Sequence, residues 1–287
     1  MKKTDFQIKP GTVVTLSEIS TSDTGSFKSK EDVKDILEKN IKKMSSLQNM
    51  LYAYDRYSLL IIFQAMDAAG KDGTIKHVMT GLNPQGTQVV SFKQPSATEL
   101  DHDYLWRIHK NVPERGRIGI FNRSHYEEVL VVRVHDLIQD QRIPPSLINK
   151  EIWNTRYRDI NDFEKYLYQN GIIILKFFLH ISREEQKKRF LQRIDTPEKN
   201  WKFSASDINE RKFWNKYQQA YGEAITSTSK KHAPWFIIPA DSKWYMRYAV
   251  SEVIVETLEE LDMSYPVTSK EQLAGLEECK KTLLKED

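Results

Sequence analysis

Residues 58–73, SLLIIFQAMDAAGKDG, join a continuous apolar run to a loop of small and charged residues. The run at 58–63 is rich in β-forming side chains, which predicts a central strand buried on both faces of a parallel sheet. Residues 74–79 resume a helical pattern, so the loop at 64–73 connects a strand to a helix. Phosphate-binding loops occur in this context, and the loop is therefore a candidate phosphate site.

The loop follows the pattern G-x-x-x-x-G-K-[ST] only in part. Gly70 and Lys71 fall in register, whereas Ala65 replaces the first glycine and Asp72 replaces the Ser/Thr. A turn in which Asp72 stabilises the helix N-terminus is the structural alternative. Two carboxylates beside a polyphosphate would repel it unless a divalent cation stood between them. Asp67 and Asp72 are therefore predicted to organise Mg²⁺, which accepts carboxylate and phosphate oxygens together.

The rest of the chain alternates strands with helices. Further strands are predicted at 87–92, 118–121, 172–179 and 234–239. Helices are predicted at 30–53, 97–110, within 146–169, at 180–194, 205–227 and 243–261, and from His125 onward. We expect Ser206 or Asp207 to cap the helix at 205–227. This alternation predicts a doubly wound α/β fold with a central parallel sheet, whose ligands bind at the carboxyl ends of the strands.

Length and composition fit one large α/β domain over residues 1–287. Residues 1–30 lack periodicity and are predicted to form an N-terminal arm rather than a core element. The net charge of +3 is too small to indicate a nucleic-acid partner. The single cysteine, Cys279, excludes an intramolecular disulfide and a cysteine metal cluster. No apolar run approaches the ~18 residues of a membrane span, so we expect no membrane partner and a cytoplasmic location.

The third predicted strand ends on Asn122-Arg123-Ser124, at the same edge of the sheet as the loop. An arginine there can form a fork of hydrogen bonds to a transferring phosphoryl group. Asn122 occupies the place where a Walker-B-type carboxylate would be expected, and its neutral amide keeps the local charge lower. Capping of the next helix by Asn122 and Ser124 is the alternative, and the two roles are compatible.

Basic residues crowd together between positions 183 and 216. They are Arg183, Lys187, Lys188, Arg189, Arg193, Lys199, Lys202, Arg211, Lys212 and Lys216. Four more candidates for the same groove lie elsewhere in the chain: Lys71, Lys76, Arg123 and Arg133. A solvated helical face would explain roughly half of the cluster. In a chain with a net charge of +3, such a concentration predicts a groove for a long polyanion.

Four segments resemble the second polyphosphate kinase family in order and spacing. They are AMDAAGKDGTIKH, IFNRSHYEEVLVVRVH, KKRFLQRIDTPEKNWKFSASD and TSTSKKHAPWFIIPADSKWYMRY, which cover most of residues 50–260. The resemblance implies a P-loop kinase-like three-layer α/β/α fold similar to thymidylate kinase, with a mobile helical lid at 183–217. It also implies phosphoryl transfer between inorganic polyphosphate and nucleotides.

The resemblance assigns roles to individual residues. It implies that Lys71 holds phosphates, that Asp67 and Asp72 organise metal, and that Arg123 contacts the transferring group. The remaining nucleotide- or phosphate-binding candidates are Ala68, Ala69, Gly70, Gly73, Thr74, Lys76, Asn122, Arg133, Arg189, Arg193, Lys202 and Asp207. Many members have Asp where this chain has Asn122, and the asparagine resembles the subgroup that phosphorylates AMP as well as ADP.

The resemblance also implies a set of partners. These are inorganic polyphosphate, adenine nucleotides with guanine nucleotides left open, Mg²⁺ with Mn²⁺ as a substitute, and a second copy in a homodimer or homotetramer. Two other functions remain open at this point. One is a nucleoside monophosphate kinase that uses ATP as donor. The other is a non-catalytic polyanion-binding protein, which the replacement of the first loop glycine by Ala65 favours.

Overall fold

The computed structural model describes residues 3–286, apart from the side chain of Lys202. Its six strands are β1 (Gln7–Ile8), β2 (Ser58–Ala65), β3 (Thr87–Ser91), β4 (Ile118–Asn122), β5 (Ile172–His180) and β6 (Trp235–Pro239). They form one sheet in the order β1-β6-β5-β2-β4-β3, parallel except for β1. All eight residues of β2 are buried, as the apolar run predicts for a central strand. The prediction of a parallel α/β sheet is confirmed.

The α-helices alternate with these strands. They are α1 (Glu31–Tyr54), α2 (Lys71–Val78), α3 (Ala97–Leu100), α4 (Trp106–His109), α5 (Val131–Val134), α6 (Ile152–Gln169), α7 (Arg183–Ile194), α8 (Ala205–Glu210), α9 (Trp214–Thr228), α10 (Lys243–Glu259) and α11 (Lys270–Leu283). Helix α1 packs against α10, and α6 packs against β5 and α9. Among the described residues, no helix combines the length and apolarity needed to cross a membrane.

Several predicted helices differ from the observed ones. The helix predicted at 97–110 is divided into α3 and α4, because the Asp103 carboxylate accepts the N–H of Leu105 and forms a turn between them. The segment from His125 begins as a 3-10 helix, His125–Val129, before α5. The helix predicted at 205–227 consists of α8, a 3-10 turn and α9. Its predicted cap is wrong, since Ser204 caps α8 and Asp207 completes the capping box from inside the helix.

The N-terminal arm contributes to the core. Phe6, Val14 and Leu16 are buried, and β1 pairs antiparallel with the edge strand β6. The prediction that this segment contains no core element is therefore wrong. Its apolar residues are too sparse to form a periodic pattern, although Phe6, Val14 and Leu16 belong to the hydrophobic core. Sequence reasoning also missed α11, none of whose residues is buried and which carries the exposed Cys279.

Candidate active site

The loop between β2 and α2 presents a row of backbone donors. The N–H of Ala69 closes a turn onto Met66 O at 3.2 Å. Within residues 3–286, no hydrogen bond engages the N–H groups of Ala68 and Gly70 or those of the first helical turn, 71–73. Gly70 has a φ of 108°, and a Cβ there would lie 3.3 Å from the side chain of Met246. These free donors at a helix N-terminus form a candidate anion-binding site.

Lys71 and the two loop carboxylates lie at the mouth of this site. Lys71 Nζ donates to the carbonyl oxygen of Ala65 at 3.0 Å, and burial lowers the pKa of the ammonium, with the charge of Arg123 acting in the same direction. Asp67 Oδ1 lies 3.3 Å from Arg123 Nη2. Asp72 Oδ1 accepts a 2.7 Å hydrogen bond from Asn122 Nδ2. Each carboxylate is therefore anchored by a residue at the end of β4.

The carboxylate oxygens of Asp67 and Asp72 fit a hard divalent cation. Among the described residues, no group of three or more His, Cys, Asp or Glu side chains forms a closed metal cage. An ion bound here would accordingly take its remaining ligands from phosphate oxygens and water, as Mg²⁺ does in phosphoryl-transfer sites.

Arg123 occupies a strained position between two carboxylates. Its φ is 65°, in the left-handed region that non-glycine residues rarely adopt, and its N–H donates to Phe63 O at 3.1 Å. Such a conformation costs on the order of 1–3 kcal/mol, and residues that adopt it cluster at functional sites. Its guanidinium lies 3.3 Å from Asp67 and 3.4 Å from Glu127. The charge of Glu127 raises the pKa of Arg123, while burial raises the pKa of Glu127 itself.

A cavity of about 850 Å³ opens in front of the loop. Its basic walls are Lys71, Lys93, Arg123, Arg189, Arg193, Lys199, Lys243 and Arg247, and its acidic residues are Asp67, Asp72 and Asp207. Asn122 and the loop residues 68–70 and 73 also line this cavity. This arrangement brings together most of the predicted site residues. Their excess of positive charge suits a ligand with several phosphates.

Sequence reasoning missed the contribution of α10. Lys243 and Arg247 lie four residues apart on this helix and both line the cavity. Burial lowers the pKa of each, with Arg189 adding positive charge nearby. Arg247 Nε is buried without a partner among the described residues. The four-residue spacing of Lys243 and Arg247 is visible in the sequence. Only the fold shows that the start of α10 lies beside Gly70.

Three predicted phosphate contacts lie outside this cavity. Arg133 forms an ion pair with Glu223 at 2.6 Å and does not line the cavity. Lys76 is exposed on α2 outside the cavity wall. The hydroxyl of the buried Thr74 donates to the Met246 sulfur at 3.7 Å, so it faces α10. These three assignments from sequence are corrected, since each side chain is directed elsewhere.

Arg189 lines the cavity, but its predicted contact with a phosphate is also corrected, because its donors are already engaged. Its guanidinium donates to Glu185 Oε1 at 2.9 Å, to the carbonyl oxygens of Ala68 and Ala69 at 3.1 and 2.7 Å, and to those of residues 240 and 241 at 2.6 and 2.9 Å. All five N–H groups of an arginine are therefore satisfied by protein oxygens. Arg189 supports the loop from behind, and its donors are not available to a phosphate.

The predicted lid segment contributes Arg193 and Asp207 to the cavity. Arg193 Nη1 lies 3.9 Å from Asp207 Oδ2. Burial raises the pKa of Asp207, and the nearby charge of Asp67 raises it further. The side chain of Lys202, also predicted here, lies outside the described part of the structure.

A second cavity, of about 530 Å³, meets the first at Arg123. The two share Phe92, Lys93, Gln94 and Arg123. The second contains aromatic, amide and imidazole groups, among them Gln141 and His135. Glu127, which sequence reasoning missed, lines only this cavity. Arg123 therefore stands where a ligand in one cavity would meet a ligand in the other.

A buried polar network supports the segment that follows Arg123. Lys176 Nζ, on β5, donates to Glu164 Oε2 at 2.6 Å and to the hydroxyl of Tyr126 at 2.9 Å. Tyr126 in turn donates to Glu164 Oε1 at 2.9 Å. All three side chains are fully buried, and burial lowers the pKa of Lys176. Because the charges are paired and hydrogen-bonded, the network fixes the 3-10 helix that carries Glu127.

Comparison with known proteins agrees with this geometry. Residues 27–266 match the family model described as Polyphosphate kinase 2. The chain belongs to the polyphosphate kinase 2 family. The family resemblance inferred from sequence is confirmed, as is the prediction of a phosphotransferase enzyme.

Two curated members of the family match nearly the whole chain. The ADP-polyphosphate phosphotransferase of Rhodopseudomonas palustris is 50% identical over 287 residues, which is 99% of each chain. The AMP/ADP-polyphosphate phosphotransferase of Meiothermus ruber is 46% identical over 93% of this chain and 96% of its own. The crystal structure of Polyphosphate Kinase 2 from Arthrobacter aurescens TC1 is 36% identical, covers 100% of this chain and 98% of its own, and has a TM-score of 0.89. The P-loop kinase-like fold is thereby confirmed.

Proposed function

We propose that the protein transfers phosphoryl groups reversibly from inorganic polyphosphate to AMP, ADP or both, with Mg²⁺ as the metal. The observation that carries this proposal is the meeting of two unlike cavities at Arg123. One cavity has eight basic residues against three carboxylates, whereas the other offers a mixed wall. The names of the relatives from Rhodopseudomonas palustris and Meiothermus ruber support the same reaction.

The larger cavity is assigned to the polyphosphate donor. Basic side chains enter it from the loop, the lid segment and α10, so positive charge surrounds the ligand on several sides. Lys71 and the loop N–H groups would hold the terminal phosphates, and Lys243 and Arg247 those further along. The negative charge of a linear phosphate chain must be offset along its whole length, and one lysine could not do this.

The smaller cavity is assigned to the nucleoside part of the acceptor. Phe92 offers an apolar surface, and Gln94 and Gln141 offer amides that can both donate to and accept from a base. The acceptor phosphate would then lie against Arg123. This orientation places the acceptor oxygen next to the terminal phosphorus of the donor.

The transfer itself replaces one P–O bond by another. An oxygen of the acceptor phosphate attacks the terminal phosphorus, the bond from that phosphorus to its bridging oxygen breaks, and polyphosphate leaves one unit shorter. The acceptor oxygen is ionised near neutral pH, so no strong general base is required. Lys71 and Arg123 would offset the negative charge on the equatorial oxygens of the transferring phosphoryl group. The loop would hold the donor phosphates so that the attacking oxygen, the phosphorus and the leaving oxygen lie in line.

Asp67 and Asp72 are the residues that would hold Mg²⁺. The bound ion would reduce the repulsion between the donor and acceptor phosphates and between these and the carboxylates. Mn²⁺ also accepts carboxylate and phosphate oxygens and is expected to substitute. Asn122 keeps Asp72 turned toward β4 without adding a third negative charge. We connect this neutral amide with the use of AMP as well as ADP.

A homodimer or homotetramer and a cytoplasmic location are proposals that rest on the family resemblance, as does a closing motion of the lid segment. Guanine nucleotides are also proposed as acceptors, because the amide side chains of the smaller cavity can both donate to and accept from a guanine base. The oligomer can be tested by light scattering on the purified full-length chain.

A donor–acceptor assay tests the function. AMP, ADP and GDP would each be offered long-chain polyphosphate and Mg²⁺, with ATP as the competing donor, and the products would be separated by chromatography. ATP formed from AMP and polyphosphate alone would support the whole proposal. Product from ADP alone would contradict the use of AMP. Transfer from ATP only would favour a conventional nucleotide kinase, and binding without turnover would favour the non-catalytic alternative.

A further inference from the structure

Three consecutive carbonyl groups of the phosphate loop accept hydrogen bonds from one helix, α7. Gln186 Nε2 donates to Asp67 O at 2.9 Å, and Arg189 Nη1 donates to the carbonyls of Ala68 and Ala69. In a trans peptide the C=O and the following N–H point in opposite directions. Helix α7 therefore turns the carbonyl dipoles away from an incoming phosphate and leaves the N–H groups of Ala68 and Gly70 for the ligand.

Gln186 has a second contact that Arg189 lacks. Its Oε1 accepts a 2.6 Å hydrogen bond from Nη1 of Arg211, which begins the 3-10 helix Arg211–Phe213 within the predicted lid segment. Gln186 is 2% exposed, so water does not compete for either end of its amide. Only a side chain with both a donor and an acceptor can bridge a carbonyl oxygen and a guanidinium in this way.

We propose that Gln186 is a positioning residue that couples the part of the lid segment that contains Arg211 to Asp67. The inference rests on the proposed function, in which Asp67 helps to hold the metal. While Arg211 binds Oε1, the amide is oriented with its NH₂ group toward the Asp67 carbonyl. Withdrawal of Arg211 removes that constraint, the Asp67 peptide loses its anchor, and the carboxylate leaves its place beside Arg123.

Arg189 has a different role. Its remaining donors bind Glu185 on the same helix and the carbonyls of Ala240 and Asp241 after β6. None of these partners belongs to the part of the lid segment that contains Arg211. Arg189 therefore holds the loop to the sheet whatever the position of Arg211, whereas the orientation of the Gln186 amide depends on Arg211.

Three single variants and one double variant test the coupling. Gln186→Leu removes both hydrogen bonds and is expected to lower kcat roughly tenfold or more, because a small misplacement of catalytic groups is costly. The KM for ADP should change by less than about threefold, and the Mg²⁺ concentration for half-maximal rate should rise. Gln186→Glu keeps the acceptor for Arg211 but loses the donor to Asp67, so it should behave like Gln186→Leu. Arg211→Ala should lower kcat in the same direction.

The double variant separates a relay from two independent effects. If Gln186 transmits the position of Arg211, Gln186→Leu/Arg211→Ala will be no slower than Gln186→Leu alone. The coupling would be refuted if the reductions in kcat of the two single variants multiplied in the double variant. It would also be refuted if Gln186→Glu had the wild-type kcat. Gln169→Leu, at an exposed glutamine at the end of α6, is the matched control and should leave kcat unchanged. Thermal unfolding of each variant identifies any that fails to fold, in which case Arg211→Ala with the protection assay decides the question.

A readout without turnover distinguishes this inference from the proposed function. Mg²⁺ and long-chain polyphosphate should protect residues 193–212 from trypsin in the wild type but much less in Gln186→Leu and Arg211→Ala. If the wild type transfers no phosphate, the function proposal fails, and the protection pattern still tests the coupling. If the wild type is active and the variants match it in both rate and protection, the coupling fails while the function stands.

Discussion

Asn122 Nδ2 donates a 2.7 Å hydrogen bond to Asp72 Oδ1, across 50 residues of sequence. The contact joins the end of β4 to the first turn of α2, and it decides which way the Asp72 carboxylate is turned. An asparagine here donates to that carboxylate, whereas an aspartate would repel it. The identity of residue 122 therefore sets both the charge and the geometry beside the proposed metal site.

Replacing Asn122 by aspartate is expected to reduce phosphorylation of AMP more than that of ADP. Two like charges about 4 Å apart repel by ~4 kcal/mol at an effective dielectric constant of about 20. The added charge also repels the acceptor phosphate. AMP has only one phosphate to which cations can bind and so offset this repulsion, whereas ADP has two. We expect the ratio of kcat/KM for AMP to that for ADP to fall about tenfold or more. Asn170→Asp, far along the chain at the end of α6, is the control, and an unchanged ratio in Asn122→Asp would refute the assignment.

Lys71 and Lys76 lie on the same helix, but only Lys71 lines the cavity. Lys71→Ala should lower kcat by roughly 10²–10³-fold, the usual cost of losing one electrostatic contact to the transition state. Lys76→Ala should change it by less than about twofold, since exposed substitutions outside a site have small effects. Steady-state kinetics with ADP and polyphosphate checks both values. Equal losses in the two variants would contradict the position of the site.

Lys243 and Arg247 are expected to act on the donor rather than on the acceptor. The double variant Lys243→Gln/Arg247→Gln should raise the KM for long-chain polyphosphate about tenfold or more and weaken its dependence on salt, because fewer charges remain to be screened. The KM for ADP should stay within about twofold. Lys280→Gln/Lys281→Gln on the exposed α11 is a matched change in net charge. A rise in the KM for ADP alone would place the nucleotide in the larger cavity instead.

Glu127 should make the free energy of unfolding depend on pH. Burial raises its pKa above the ordinary value of 4.5, so between that value and the raised one the folded protein holds a proton that the unfolded chain has released. The contribution of this group to the free energy of unfolding therefore falls as pH rises through that window.

The test compares the wild type with Glu127→Gln, which lacks the titrating group. The difference in free energy of unfolding, wild type minus variant, should decrease as pH rises through the window. Urea titrations at several pH values measure this difference. A difference that is flat, or that grows with pH, would show that Arg123 overcomes the effect of burial.

The sheet was predictable because its parallel strands are buried on both faces and therefore read as continuous apolar runs. The loop and Arg123 were predictable because each directly follows such a strand. The helical spacing of Arg189 and Arg193 placed both on one face, and both line the cavity. Arg189, however, is buried and donates to carbonyl oxygens of the loop from behind. The role of each arginine depends on the groups that lie close to it in space. The spacing of residues along one helix does not reveal those groups.

The errors at Arg133 and in α10 have the same origin. Arg133 was assigned to the predicted groove because of its charge alone. In the structure it forms an ion pair with Glu223, which lies 90 positions further along the chain on α9. Lys243 and Arg247 follow the last strand, where no phosphate motif draws attention to them. Their place beside the loop depends on β6 lying two strands from β2 in the sheet order.

The eight cations around one cavity also affect how long the protein persists before it is degraded. Without a polyanion these charges repel one another, and a bound phosphate chain relieves that repulsion in the folded state only. A ligand at 100 times its dissociation constant adds about 2.7 kcal/mol to the free energy of unfolding. When phosphate polymer is scarce, we expect a larger fraction of molecules to unfold and be degraded. The abundance of the enzyme would then follow the supply of its own donor.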